Sequence, residues 1–155
     1  MIEIRWHGRD GQGSFTASRI LGSAASVYGG KYSMAFPSFG PERRGAPVLG
    51  FTKISDDPIT DRSEVLSPDY VIVLDETLWD IGVTNGLKDE TVIIINTSEP
   101  GKYQGKVSQK MVAVDATSIA LDVLALPITN TAMMGAFVAV CDQVSLDNAK
   151  KAING

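Results

Sequence analysis

The residues with the most chemistry in them form one short run, Gly8-Arg9-Asp10-Gly11-Gln12-Gly13. It lies between an alternating segment (Ile2, Ile4 and Trp6 against Glu3, Arg5 and His7) and a segment with apolar residues at helical spacing (Ala17, Ile20, Leu21, Ala24, Ala25, Tyr28). A glycine-rich turn that opens a helix presents unpaired N–H groups at the positive end of the helix dipole, which suits an anion such as a phosphate. Arg9 and Gln12 offer further donors, whereas Asp10 adds a negative charge. The spacing is G-x-x-G-x-G rather than the dinucleotide G-x-G-x-x-G. The second expected strand, about Lys31 to Phe36, carries no Asp or Glu for a ribose hydroxyl. Three readings stay open: a tight turn with Asp10 or Ser14 capping the helix, an anion site, and a dinucleotide site.

A second concentration is Pro37-Ser38-Phe39-Gly40-Pro41-Glu42-Arg43-Arg44-Gly45-Ala46-Pro47. Pro41 and Pro47, with Gly45 for a conformation other residues resist, set the backbone shape around two guanidinium groups. Arg43 and Arg44 suit a phosphate or a carboxylate, held bidentately where geometry allows. They equally suit pairing with Glu42 or with a neighbouring subunit. Phe36 and Phe39 read as interface anchors or as a platform for an adenine. His7, the sole histidine, reads as a structural hydrogen-bonding group unless the fold supplies a catalytic partner. Asp75 and Asp115 end expected strands and read as caps for the helices that follow, as do Asn130 and Thr131 for theirs. Met133 and Met134 read as packing residues.

The elements that must position these groups alternate. Val71-Ile72-Val73-Leu74 and Val92-Ile93-Ile94-Ile95 are continuous apolar runs, expected as strands buried on both faces. Met111 to Val114 is a third, leading past Asp115 into a helix from about Thr117 to Leu124; further helices run to Val140 and from Ser145-Leu146-Asp147. Val48 to Ile54 alternates as a strand, so Pro37 to Asp61 makes a hairpin-like excursion with antiparallel pairing at a sheet edge. The expected class is α/β: a three-layer, Rossmann-like domain with a mostly parallel sheet and a hairpin-like insertion.

At 155 residues the chain reads as one domain, 1–155. Its composition, 44% hydrophobic and 21% charged, is that of an ordinary globular protein. A net charge of −4 with no basic block argues against nucleic acid, and the absence of a long apolar run argues against membrane insertion. A cytoplasmic protein is expected. The single cysteine, Cys141, cannot by itself hold zinc or an iron–sulfur cluster, so redox chemistry would need a centre carried elsewhere.

Four stretches together resemble the gamma subunit, or gamma domain, of the pyruvate/2-oxoacid:ferredoxin oxidoreductase family. They are Ile4 to Gly13, Ala35 to Val48, Pro68 to Asp75 and Asn130 to Gly135, in the family's order and across nearly the whole chain. The Phe39-Gly40-Pro41-Glu42-Arg43-Arg44-Gly45-Ala46-Pro47-Val48 run is the most specific and favours the pyruvate and branched-chain branch; oxalate-using relatives stay open. Glycine is usual where this chain has Asp10. Relatives commonly run on past Gly155, which reads as truncation or as one piece of a longer fused polypeptide.

The resemblance implies that thiamine diphosphate with Mg and [4Fe–4S] clusters belong to other subunits, with none held by this chain alone. It implies alpha, beta and delta-type partners, ferredoxin as electron acceptor and coenzyme A as the usual acyl acceptor. The gamma part would pack against the catalytic subunits and bound the coenzyme A side, with Gly8, Arg9, Gly11, Gln12, Gly13, Arg43 and Arg44 as binding residues and no catalytic residue of its own. A stand-alone nucleotide-binding enzyme and a purely structural scaffold are the alternatives.

Overall fold

The computed structural model describes residues 1–9, 12–38, 46–119 and 129–154. Asp10, Gly11, the run from Phe39 to Gly45 with Arg43 and Arg44, and most of the helix expected from Thr117 lie outside the described residues. Six strands form one sheet: β1 (Ile2–Arg9), β2 (Tyr32–Pro37), β3 (Pro47–Ser55), β4 (Tyr70–Val73), β5 (Val92–Asn96) and β6 (Lys110–Val114). Their spatial order is β2-β3-β1-β4-β5-β6. β1, β4, β5 and β6 pair in parallel, and β3 pairs antiparallel with both β1 and β2. The hairpin-like excursion is thus real and builds one edge of the sheet.

Helices α1 (Ser14–Ser26), α2 (Asn130–Val140) and α3 (Leu146–Asn154) pack on one face. Ile4, Trp6, Ile72 and Ile94 point into that layer, with Leu21, Met133, Met134 and Phe137 against them. The opposite face of β4 and β5 (Val71, Val73, Ile93, Ile95) is covered by short turns at Glu76–Leu78, Trp79–Val83 and Pro100–Tyr103 instead of long helices. This explains the continuous apolar runs: alternate side chains enter two different cores. The result is the expected three-layer α/β, Rossmann-like architecture. Among the described residues no helix is long and apolar enough to cross a membrane.

Two local expectations change. The alternation in β1 signals a half-buried strand, yet Arg5 and His7 are only 4% and 2% exposed. β1 is central, and the segment through Gly82 to Asn85 crosses its polar face. Tyr28 belongs to the α1 stripe by spacing but is 39% exposed. The helix ends at Ser26, where Gly30 takes a left-handed φ of 72° and its N–H bonds the Ser26 carbonyl at 3.1 Å. Tyr28 therefore sits in the cap, off the helical face.

Candidate functional site at the first strand-to-helix turn

β1 delivers the chain to α1 through a turn in which Gly8 and Gly13 leave no room for a side chain. Gly13, at the N-cap position, has φ of 81°, and a Cβ there would lie 2.5 Å from Asn130 Nδ2. A Cβ on Gly8 would lie 2.1 Å from Ser14 Oγ, and one on Gly50 of β3 would lie 3.0 Å from the Ser14 carbonyl. These glycines let the start of α1 settle against the sheet and against the start of α2. The Asn130 side chain joins the two, donating weakly to the Gly13 carbonyl at 3.4 Å while accepting the Thr131 N–H at 2.9 Å.

No side chain caps α1. Ser14 is its first helical residue rather than its cap. The residue is 3% exposed, and among the described residues its hydroxyl is the one buried side-chain polar atom without a hydrogen-bond partner. A buried hydroxyl left unpaired costs about 1–3 kcal/mol. The α1 N-terminus thus combines a helix dipole, a hydroxyl without a partner and a glycine at the N-cap position.

Arg9 and Gln12 are committed elsewhere. Gln12 accepts the Arg9 N–H at 2.7 Å and donates to Asp75 Oδ2 at 2.9 Å. Arg9 donates to Thr77 Oγ1 at 3.0 Å through Nη2, and its Nε lies 3.4 Å from Asp75 Oδ2. Asp75 also caps the next turn, accepting the Thr77 N–H at 3.0 Å. Burial pushes its carboxyl pKa up, but the bonds from Thr77 and Gln12, with the charge of Arg9, outweigh that and hold it below the ordinary value. Asp115 likewise accepts the Ser118 N–H at 3.2 Å. Both aspartates are caps, as their positions suggest.

Beside the turn, the carboxyl ends of β4, β5 and β6 enclose a cleft of about 490 Å³ that includes Asp75, Glu76 and Asp115. Three carboxylates make it a poor home for phosphate. Asn96 organises its floor, donating to the Leu74 carbonyl at 3.0 Å and accepting the Ala116 N–H at 2.9 Å. Nothing in the sequence pattern marks Asn96, because its role depends on three strands ending together.

His7 makes a hydrogen bond within the fold, as expected. Its Nε2 accepts from Arg5 Nε at 2.9 Å, and burial, helped by the neighbouring Arg5 charge, holds its pKa down to about 3. It is neutral at physiological pH. Phe36 packs 5.2 Å from Phe51, centroid to centroid. Met133 and Met134 are buried in the core, and Cys141 is a buried free thiol. Among the described residues no group of three or more His, Cys, Asp or Glu could hold a metal ion.

Known proteins share this architecture. The family model for pyruvate ferredoxin/flavodoxin oxidoreductase matches residues 3–155. The chain is 54% identical over 154 residues to the pyruvate synthase subunit PorC of Methanothermobacter thermautotrophicus, covering 99% of this chain and 83% of that one. It is 49% identical over 159 residues to the common gamma subunit of the pyruvate/ketoisovalerate oxidoreductases of Pyrococcus furiosus, covering 99% and 85%. The crystal structure of the pyruvate oxidoreductase subunit PORC of Thermotoga maritima superposes with a TM-score of 0.87 at 40% identity, over 99% of this chain and 83% of that one. This chain belongs to the pyruvate ferredoxin/flavodoxin oxidoreductase family, as a gamma subunit of a complex for the oxidative decarboxylation of 2-oxoacids such as pyruvate.

Proposed function

We propose that this gamma subunit packs against the thiamine-bearing subunits and forms one wall of the coenzyme A site, with the Gly8–Gly13 turn and the α1 N-terminus receiving a phosphate. Family membership implies a complex that uses thiamine diphosphate, iron–sulfur clusters and coenzyme A, together with alpha, beta and delta-type subunits and ferredoxin. Thiamine diphosphate, with its Mg in those partners, supplies the carbanion chemistry of decarboxylation. The gamma chain's own part is to bind and orient. Its backbone N–H groups at the start of α1 and the Ser14 hydroxyl would supply the donors for that phosphate. Arg9 and Gln12 hold the turn in shape through Asp75, and Gly8 and Gly13 allow its close packing against Ser14 and Asn130. Arg43 and Arg44 supply cationic partners for coenzyme A phosphates or for carboxylates of the adjoining subunits. A cytoplasmic complex fits this assignment.

The unpartnered Ser14 hydroxyl is the observation that carries the reading. Ser14→Ala separates a binding role from a structural one. It removes an unpaired buried group, so the free subunit should gain about 1 kcal/mol in urea unfolding. The assembled enzyme should meanwhile show a KM for coenzyme A about tenfold higher, with the KM for pyruvate unchanged. A destabilised subunit with normal coenzyme A kinetics would make Ser14 structural. Replacing Arg43 and Arg44 together by Ala should weaken assembly or raise the coenzyme A KM while leaving thiamine binding intact. Unchanged assembly and kinetics in that double variant would favour a purely structural scaffold.

A further inference from the structure

On the sheet face away from the helices lies a cavity of about 180 Å³ that the coenzyme A reading does not use. Arg5 and His7 line it together with Asn85, Phe51, Leu66 and Ile81. The Arg5 guanidinium meets only neutral groups. Its Nε donates to His7 Nε2 at 2.9 Å, and its Nη2 donates to the carbonyls of Val83 at 3.1 Å, Asn85 at 2.7 Å and, weakly, Gly82 at 3.4 Å. Nη1 makes none of these bonds. Among the described residues no carboxylate forms an ion pair with Arg5. Glu64 also lines the cavity, but it is exposed and water screens it.

A buried charge ordinarily brings a counter-charge with it, because carbonyl dipoles offset only part of its lost hydration. His7 adds to the demand. It accepts at Nε2 and is neutral, so its proton sits on Nδ1 and makes a second donor. The surrounding Phe51, Leu66 and Ile81 are apolar, and the volume corresponds to about six waters of liquid, room for roughly six non-hydrogen atoms. One cation with apolar walls suits a monoanion with a hydrocarbon end better than a phosphate. We infer that this cavity binds a small monocarboxylate, its carboxylate taken by Arg5 and His7 and its short apolar tail lying against Phe51, Leu66 and Ile81.

The test is an NMR titration of the full chain with butyrate, beside its neutral isostere butanamide and beside chloride at equal ionic strength. Saturable butyrate binding that shifts the Arg5 Nε–H signal is expected, with the amide about tenfold weaker because it lacks the charge-assisted bond. Leu66→Trp should abolish the response by filling the mouth; Leu66 is 73% exposed, so the urea midpoint should not move. Arg5→Gln should abolish it too, but it also loosens the carbonyls at Val83 and Asn85, so Leu66→Trp decides. No saturation, equal affinity for the amide, an equal shift with chloride, or binding retained in Leu66→Trp would each overturn the assignment. Loss of butyrate binding on assembly of the complex would hand the site to a partner's carboxylate, and would also overturn it.

Discussion

The two faces of β1 are equally buried and chemically opposite. Ile4 and Trp6 enter a hydrocarbon layer against α1 and α2, while Arg5 and His7 lie under the carbonyls of residues 82–85. The first face follows the usual rule that apolar area removed from water stabilises the fold, at about 25 cal/mol per Å². The second keeps a guanidinium from water and gains little net energy by it. What it gains is definition. Arg5 binds three carbonyls of one turn at once and so ties the segment after Trp79 to this face of the sheet. Apolar burial sets how stable the domain is; the buried polar pair sets which loop covers which strand.

The comparison predicts different failures on the two sides. Trp6→Ala should have the largest effect, about 3–5 kcal/mol of lost stability in urea unfolding, through the cavity it leaves beneath α1. A loss under 1 kcal/mol would mean that this face is far more plastic than its packing suggests. On the polar face the weakness is to acid. His7 has a folded pKa of about 3 against about 6.5 when unfolded, so its contribution is whole above pH 6.5 and falls as the unfolded chain alone takes up the proton. Between pH 6.5 and pH 3 stability should decline by up to about 1.4 kcal/mol per pH unit from this group. His7→Gln, which keeps an acceptor for Arg5, should flatten that slope; an unchanged slope would assign the acid sensitivity to the carboxylates.

The smallest expected effect lies at a polar link of the apolar face. Thr52 Oγ1 accepts the Trp6 indole N–H at 3.1 Å and donates to the Ser18 carbonyl at 3.0 Å. Thr52→Val should cost about 1–2 kcal/mol by leaving the indole unsatisfied. A neutral result would show that Trp6 acts by its area alone.

Much of this architecture is written locally. The period-two and period-3.6 patterns, the apolar runs of β4 and β5 and the aspartates that close β4 and β6 can be read from neighbouring residues, since each depends on spacings of a few positions. The glycine turn and the Phe39 to Val48 run mark the family for the same reason: they are contiguous. Tertiary structure decided the rest. Ser14 is an ordinary cap candidate until Gly8 and Gly50 bring the sheet against it and leave its hydroxyl without a partner. Asn96 becomes an organising residue only because β4 and β5 end beside the turn that follows β6. Arg5 and His7 read as the solvent side of a strand, since alternation reports that one face is polar and not whether water reaches it. A segment some eighty residues further along the chain covers most of both side chains, and contacts across such a separation leave no trace in local periodicity.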